Sequence, residues 1–424
     1  MLEMRLIREQ PDLVRERLNT RDPGLGKQVD AILELDSIRR QLETQLQRIH
    51  AERNKLSKEI GQLRAKKETS IELETKVREL GDDLAVLNER VIAADEAQRS
   101  LMLSIPNLPH ARAVKGSDAS ANPVIRVWGE KPEFDFTPRD HVSLGNELGL
   151  FDFERAAKIS GSGFIAYTGM GARLQRGLIQ FLLDLHTAEH GYFEISPPYL
   201  VRRYSMVGTG ALPKFEQDAY GLDDGEAFLI PTAEVPLTNF HREEALSYRD
   251  LPKYYVAQTP CFRREAGSAG KETRGLIRVH QFDKVELVKI TEPHQSYLEL
   301  DKMTADAERV LHLLGLHYRV IELCTGDLGF SMAKTYDIEV WAPGQGSYLE
   351  VSSCSNAEDF QARRINLKFK DAEGKNRYPH TLNGSGTALP RLIVALLESG
   401  QQKDGSIKIP EPLQNYMKAA ELRK

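Results

Sequence analysis

Two unbroken hydrophobic seams near the N-terminus constrain this chain more than any other feature. Ile32, Leu35, Arg39, Leu42, Leu46, Ile49, Arg53, Leu56, Ile60 and Leu63 follow one another in alternating steps of three and four. Leu73, Val77, Leu80, Leu84, Leu87, Val91, Ala94, Gln98 and Leu101 repeat the alternation. A period of 3.5 requires α-helix and predicts a left-handed supercoil. The intervening RAKKETS, Arg64–Ser70, carries no seam residue. Two helices of similar length on a short link are antiparallel neighbours. Helices of roughly 35 residues would each span about 50 Å, which predicts an arm over about 29–101. Arg39 and Arg53 occupy apolar positions, so each must snorkel outward or find a polar partner.

The two helices differ in charge. Val29 to Lys66 holds eight Lys or Arg against six acids, whereas Glu68 to Leu101 holds nine acids against four bases. Two readings stand: a coiled coil for dimerisation with solvated charges, or a rod that meets a phosphate backbone. The net charge of −5 does not separate them, so any nucleic-acid contact must rest on a local basic surface. Pro106, Pro109, Gly116, Ser117 and Pro123 mark a linker. It places a domain boundary near residue 110, giving domains of 1–110 and 111–424.

Hydrophobic content of 41% and charged content of 28% leave ample material for a globular core. Cys261, Cys324 and Cys354 are scattered, which argues against a disulfide framework and a local metal motif. The charged N-terminus and the absence of an apolar run of about 18 residues predict a cytoplasmic protein without a membrane partner.

Chemistry concentrates in Thr259–Val288, TPCFRREAGSAGKETRGLIRVHQFDKVELV. Two strand-like runs flank a Gly-rich charged loop, predicting an antiparallel hairpin. Alternation puts Arg263 and Glu265 on one face, and Phe282, Lys284 and Glu286 on one face of the return strand. An arginine that can clamp phosphate, a ring that can stack on a base and two carboxylates suit a nucleotide and an amine-bearing substrate. An Arg-x-Glu pair alone would more often be a surface ion pair. Upstream, AFLIPTAEVPLTN runs a strand into Pro231 and Thr232, where Thr232 can cap a helix or line a pocket. Downstream, DIEVWAPGQGSYLEVSSCSN predicts a second hairpin with Glu350 and Ser352 on one face. LNGSGTALPRLIVALLES predicts a small-residue loop entering an apolar helix, its glycines serving either a ligand or close packing.

These strings together resemble the motifs of class II aminoacyl-tRNA synthetases in the form found in seryl-tRNA synthetases. Thr259–Val288 is similar to motif 2, and LNGSGTALPR to motif 3. The helix with Leu174, Leu178, Phe181, Leu182 and Leu185, followed by an expected strand FEISPPYLV with Pro198, is similar to the dimer-forming motif 1. The resemblance implies an α+β fold: a long antiparallel helical hairpin, then a catalytic domain with an antiparallel sheet flanked by helices. It implies ATP-dependent attachment of L-serine to tRNA(Ser), and to tRNA(Sec) where present, by a homodimer of the common zinc-free type, with Mg²⁺ as metal. Arg263, Arg264, Glu265, Val279, Phe282, Arg391 and the EVSS run Glu350, Val351, Ser352 and Ser353 would hold ATP, with Glu350 meeting Mg²⁺. Thr232, Ala233, Glu234, Glu286 and Ser385 would hold serine, and Arg263, Glu286 and Arg391 would serve the chemistry. The loop SAGKE is expected to be variable and mobile, and His280 to be structural. Related synthetases for threonine or proline usually carry an anticodon-binding domain after motif 3, and only 33 residues follow Arg391 here.

Overall fold

The seams become two long helices, α1 (Gln28–Ala65) and α2 (Ile71–Ser104), in the computed structural model. It describes residues 1–266 and 274–424, so SAGKE lies outside the described residues. Side-chain pairs Arg39–Gln98, Glu52–Lys76 and Arg64–Glu74 run in opposite senses along the two helices, which are therefore antiparallel. Ile32, Leu42, Leu56 and Ile60 are buried, as are Leu84, Leu87 and Ala94. Arg53 is exposed, whereas Arg39 finds partners: it donates to Gln98 at 3.1 Å and to Glu43 at 2.5 Å. Beside it the buried Asp36 accepts two hydrogen bonds from Arg8, at 2.7 and 3.0 Å, and one from Gln98 at 3.3 Å. These helices belong to one compact unit, Leu2–Ile105.

Pro106–Lys424 forms the other unit. Its eight-stranded sheet comprises β1 (Val124–Trp128), β2 (Phe193–Glu194), β3 (Lys253–Phe262), β4 (Gln281–Thr291), β5 (Tyr318–Glu322), β6 (Lys334–Ala342), β7 (Ser347–Asn356) and β8 (His380–Ala388). The spatial order is β1-β5-β6-β7-β8-β4-β3-β2, antiparallel throughout except for the short β2–β3 pair. Helices α3 (Gly169–Ala188), α4 (Ser296–Leu314) and α5 (Leu389–Gly400) pack into a core with the strands, where Leu178, Leu287, Met303, Val340 and Leu392 meet. Helix stripes and strand faces bury each other's apolar surface, the general solution for a layered α+β domain.

Three local expectations are corrected. The first hairpin forms, with Phe282 opposite Cys261, but β3 ends at Phe262 and Glu265 adopts φ 52°. Strand alternation therefore does not govern Arg263 and Glu265. FEISPPYLV is not one strand: β2 stops at Glu194 and a separate strand, Leu200–Arg202, begins beyond Pro197 and Pro198, which lack the amide donors a ladder needs. LNGSGTA is not a loop but lies within β8, and its glycines serve packing. A Cβ on Gly384 would stand 2.8 Å from Met303 Sδ, and one on Gly386 2.8 Å from His186 Nε2.

Burial pushes the Asp36 carboxyl up, yet bonds from Arg8, Gln98 and Arg39 outweigh it and hold the pKa below its ordinary value. Its stabilisation is thus present above the unfolded pKa of about 3.9 and lost as pH falls through the lower folded value. Asp36→Ala leaves Arg8 and Arg39 without this acceptor and should cost about 2 kcal/mol of local stability. Native-state hydrogen exchange in α1 and α2 of the full chain checks this, with the difference from wild type shrinking in acid.

Candidate active site

Strand β4 turns Phe282, Lys284 and Glu286 into a cleft of about 440 Å³. Neighbouring strands then set what faces them. Glu286 pairs with Ser385 of β8, because Gly386 is an extra residue that bulges between the Val285–Thr387 and Glu286–Ser385 pairs. Lys284 and Glu286 are both buried and form an ion pair. Burial raises the Glu286 pKa, opposed by Lys284, Arg263 and Thr232. Oε2 is the oxygen that meets Lys284 Nζ, and because a carboxylate offers about four acceptor sites the group keeps capacity for an incoming donor.

Glu234 opens a short helix, Glu234–Asn239, and lines the same cleft with Thr232. The Thr232 hydroxyl accepts from the Glu234 amide at 3.1 Å, so it supports the helix start and lines the cleft at once. Gln361 donates to Glu234 Oε1 at 2.7 Å. Burial and the neighbouring Glu286 nevertheless push the Glu234 pKa up to about 7. A cation beside this carboxyl would draw the proton off it.

Arg263 stands 5.1 Å from the Phe282 ring and donates to the Pro231 carbonyl at 3.3 Å. Arg391, at the start of α5, donates to the carbonyls of Ile277 (3.2 Å) and Glu350 (2.9 Å), and lies 3.7 Å from the Glu350 carboxylate. Both guanidiniums line the cleft, with Phe282 and Val279. Glu265 also lines it and is ion-paired to Arg278. On β7, Val351 is the extra residue of a second bulge, between the Ile338–Ser352 and Glu339–Glu350 pairs. Glu350, Val351 and Ser353 consequently face the cleft, while Ser352 is buried and donates to the Ser385 carbonyl at 2.5 Å. The expected shared face of Glu350 and Ser352 is corrected by that bulge.

Two further residues stand off the cleft. Ala233 is fully buried, and Arg264 is exposed, with its backbone amide bonded to the Asp218 carbonyl at 2.8 Å. His280 bonds the Arg263 carbonyl through Nδ1 at 3.0 Å, as its structural reading anticipates. Sequence reasoning gave no role to Lys284, Arg278 or Gln361. Lys284 was detectable from its spacing between Phe282 and Glu286; Gln361 has no local signal. A second, mainly apolar cavity of about 390 Å³ adjoins the cleft and shares Thr232, Glu234 and Arg263 with it, its other walls including Met206, Phe215 and Phe330. Among the described residues no group of three or more His, Cys, Asp or Glu could hold a metal ion by itself.

An antiparallel sheet bearing two cleft-facing arginines, one just past a strand end and one on the helix that follows β8, defines the catalytic core of a class II aminoacyl-tRNA synthetase. Residues 214–400 match the family described as tRNA synthetase class II core domain (G, H, P, S and T), and residues 1–109 match the seryl-tRNA synthetase N-terminal domain. The serine–tRNA ligase of Akkermansia muciniphila is 58% identical over 99% of this chain and 98% of its own length. That of Syntrophobacter fumaroxidans is 51% identical over 98% of each. The seryl-tRNA synthetase of Pyrococcus horikoshii, solved with ATP, superposes with a TM-score of 0.93 at 40% identity, covering 100% of this chain and 99% of that one. The chain belongs to the seryl-tRNA synthetase family.

The raised Glu234 pKa has a consequence for the unliganded protein. The folded state keeps a proton that the unfolded chain releases near pH 4.5, so this group's contribution is fully present below that pH and is lost as pH rises through about 7. Thermal melts across that window should show wild type losing stability relative to Glu234→Gln as pH rises.

Proposed function

We propose that the chain attaches L-serine to tRNA at the expense of ATP, in two steps on the β4 face. The observation that carries this reading is the convergence of Arg263, Phe282, Glu286, Ser385 and Arg391 on one cleft, with Glu234 beside them. Phe282 and Arg391 sandwich the adenine, Val279 and Glu265 meet its edge, and Arg263 holds the α-phosphate. Glu234 and Thr232 receive the serine ammonium, and Glu286 with Ser385 receives its hydroxyl. The serine carboxylate then attacks the α-phosphorus, the bond to the β-phosphate oxygen breaks, and pyrophosphate leaves. In the second step the 3′-hydroxyl of the tRNA attacks the seryl carbonyl, and AMP leaves. The adjoining apolar cavity offers room for the tRNA end beside the serine pocket. Neither step needs a protein nucleophile; positioning and fixed charge lower the barrier.

Glu350 has a cleft-facing carboxylate with a side chain 48% exposed, and one carboxylate plus substrate phosphates is a common way of holding Mg²⁺ among retained waters. Mg²⁺ bound there would neutralise phosphate charge. Ser353 lies on the same cleft wall. Serine is separated from alanine by the acceptor site on Glu286 that alanine cannot fill, and from threonine by the close walls around Ser385.

The domain over 1–110, with Arg40, Arg48, Lys55, Lys58 and Lys67 on α1 and its tip, supplies the basic surface for tRNA(Ser), and for tRNA(Sec) where present. A homodimer joined through the motif 1 segment accounts for its exposed Phe193, Tyr199 and Leu200. The setting is the cytoplasm; among the described residues no helix is long and apolar enough to cross a membrane.

Glu286→Ala should abolish serine-dependent ATP–pyrophosphate exchange, and near-normal exchange would remove Glu286 from this role. Deleting residues 35–98 should spare that exchange and cripple charging of tRNA. Equal loss of both reactions would assign the arm a structural task alone.

A further inference from the structure

Leu276, Ile277 and Val279 form a wall of the nucleotide cleft, yet they lie in a stretch with neither helix nor strand to hold them. A buried side chain holds them instead. The Leu276 amide donates to His141 Nε2 at 3.1 Å. A backbone N–H can only donate, so Nε2 is the bare nitrogen and the ring proton sits on Nδ1. Nδ1 lies 3.0 Å from Glu398 Oε1 and therefore donates to it. His141 and Glu398 are almost wholly buried. Glu398 Oε1 also accepts from the His141 amide at 2.9 Å and from Gln345 Nε2 at 3.0 Å. Its Oε2 accepts from the amides of Gly344 at 2.9 Å and Gln345 at 3.1 Å. Five donors thus meet one acceptor group, and Gly275, at φ +69°, has no room for a Cβ, which would stand 2.3 Å from His141 Nε2.

Three parts of the nucleotide site meet at this pair. The Gly344–Gln345 turn joins β6 to β7, which carries Glu350 and Val351. Glu398 lies on α5, about two turns beyond Arg391. Leu276 precedes Ile277, whose carbonyl takes the hydrogen bond from Arg391 Nε. We propose that His141, oriented by Glu398, is a positioning residue for ATP: it fixes Leu276–Val279 against the adenosine and, through the Ile277 carbonyl, aims the Arg391 guanidinium. It touches no substrate itself, and the assignment rests on the nucleotide site described under the proposed function.

Two substitutions divide its roles. Asparagine places an amide where Nδ1 stands, so His141→Asn serves Glu398 but falls short of Leu276. Glutamine places its amide near Nε2, so His141→Gln restores an acceptor for the Leu276 amide. In serine-dependent ATP–pyrophosphate exchange by the full chain, His141→Asn should raise KM for ATP roughly tenfold, the effect of losing one hydrogen bond to a buried donor. KM for serine should stay within about twofold, and His141→Gln should recover most of the loss. A wild-type KM for ATP in His141→Asn, an equal rise in both KM values, or no recovery with glutamine would overturn the proposal. Should the variants not fold, amide exchange in the wild-type protein decides: the Leu276 amide is expected to be protected as strongly as those of α5, and rapid exchange there would overturn the assignment. Wild-type exchange with serine is the control for the underlying reading, so its absence would sink that reading separately.

Discussion

The register of β4 is the constraint on which the site depends. Because side chains alternate along a strand, Phe282, Lys284 and Glu286 reach the cleft together or not at all. A slip of one residue would replace them with Asp283, Val285 and Leu287, and bury the charges in the core. Pairing with β3 on one side and β8 on the other prevents that slip. The bulge at Gly386 then brings Ser385 opposite Glu286. Gly386 is small because His186 presses on it from α3, so helix packing and the composition of the proposed serine pocket are linked.

The same face gathers charge that water does not screen well. Glu234, Lys284, Glu286 and Arg263 lie within reach of one another's fields, and burial raises both glutamates. A lone buried carboxylate would be costly; here Lys284 and Gln361 compensate in part and leave capacity for a ligand. A substrate that brings an ammonium group and a hydroxyl completes what the protein leaves incomplete. That is a physical basis for selectivity which a neutral apolar pocket of the same size would lack.

Much of this was legible in the sequence, for identifiable reasons. Heptad spacing predicted α1 and α2, because side-chain periodicity is a local property. The two hairpins followed from alternation, and motif resemblance singled out Arg263, Glu286 and Arg391 before their convergence was visible. What escaped was non-local. Asp36 lies off the seam, and its partner Arg8 comes from a separate short helix, Met4–Glu9. The bulges at Val351 and Gly386 leave no mark in an alternating pattern, so Ser352 was placed on the wrong face. The glycines of β8 read as loop because their cause, Met303 and His186 across the core, is distant in sequence. His141 and Glu398 stand 257 residues apart and belong to no motif.

In the proposed function serine and ATP meet on the β4 face, with the adenine between Phe282 and Arg391 and the serine hydroxyl at Glu286. A crystal structure of the protein with serine and a non-hydrolysable ATP analogue tests it most directly. The ring is expected between those two side chains, with the ammonium at Glu234 and the hydroxyl within hydrogen-bonding distance of Glu286. Nucleotide density away from Phe282, or a serine side chain turned from Glu286, would contradict it.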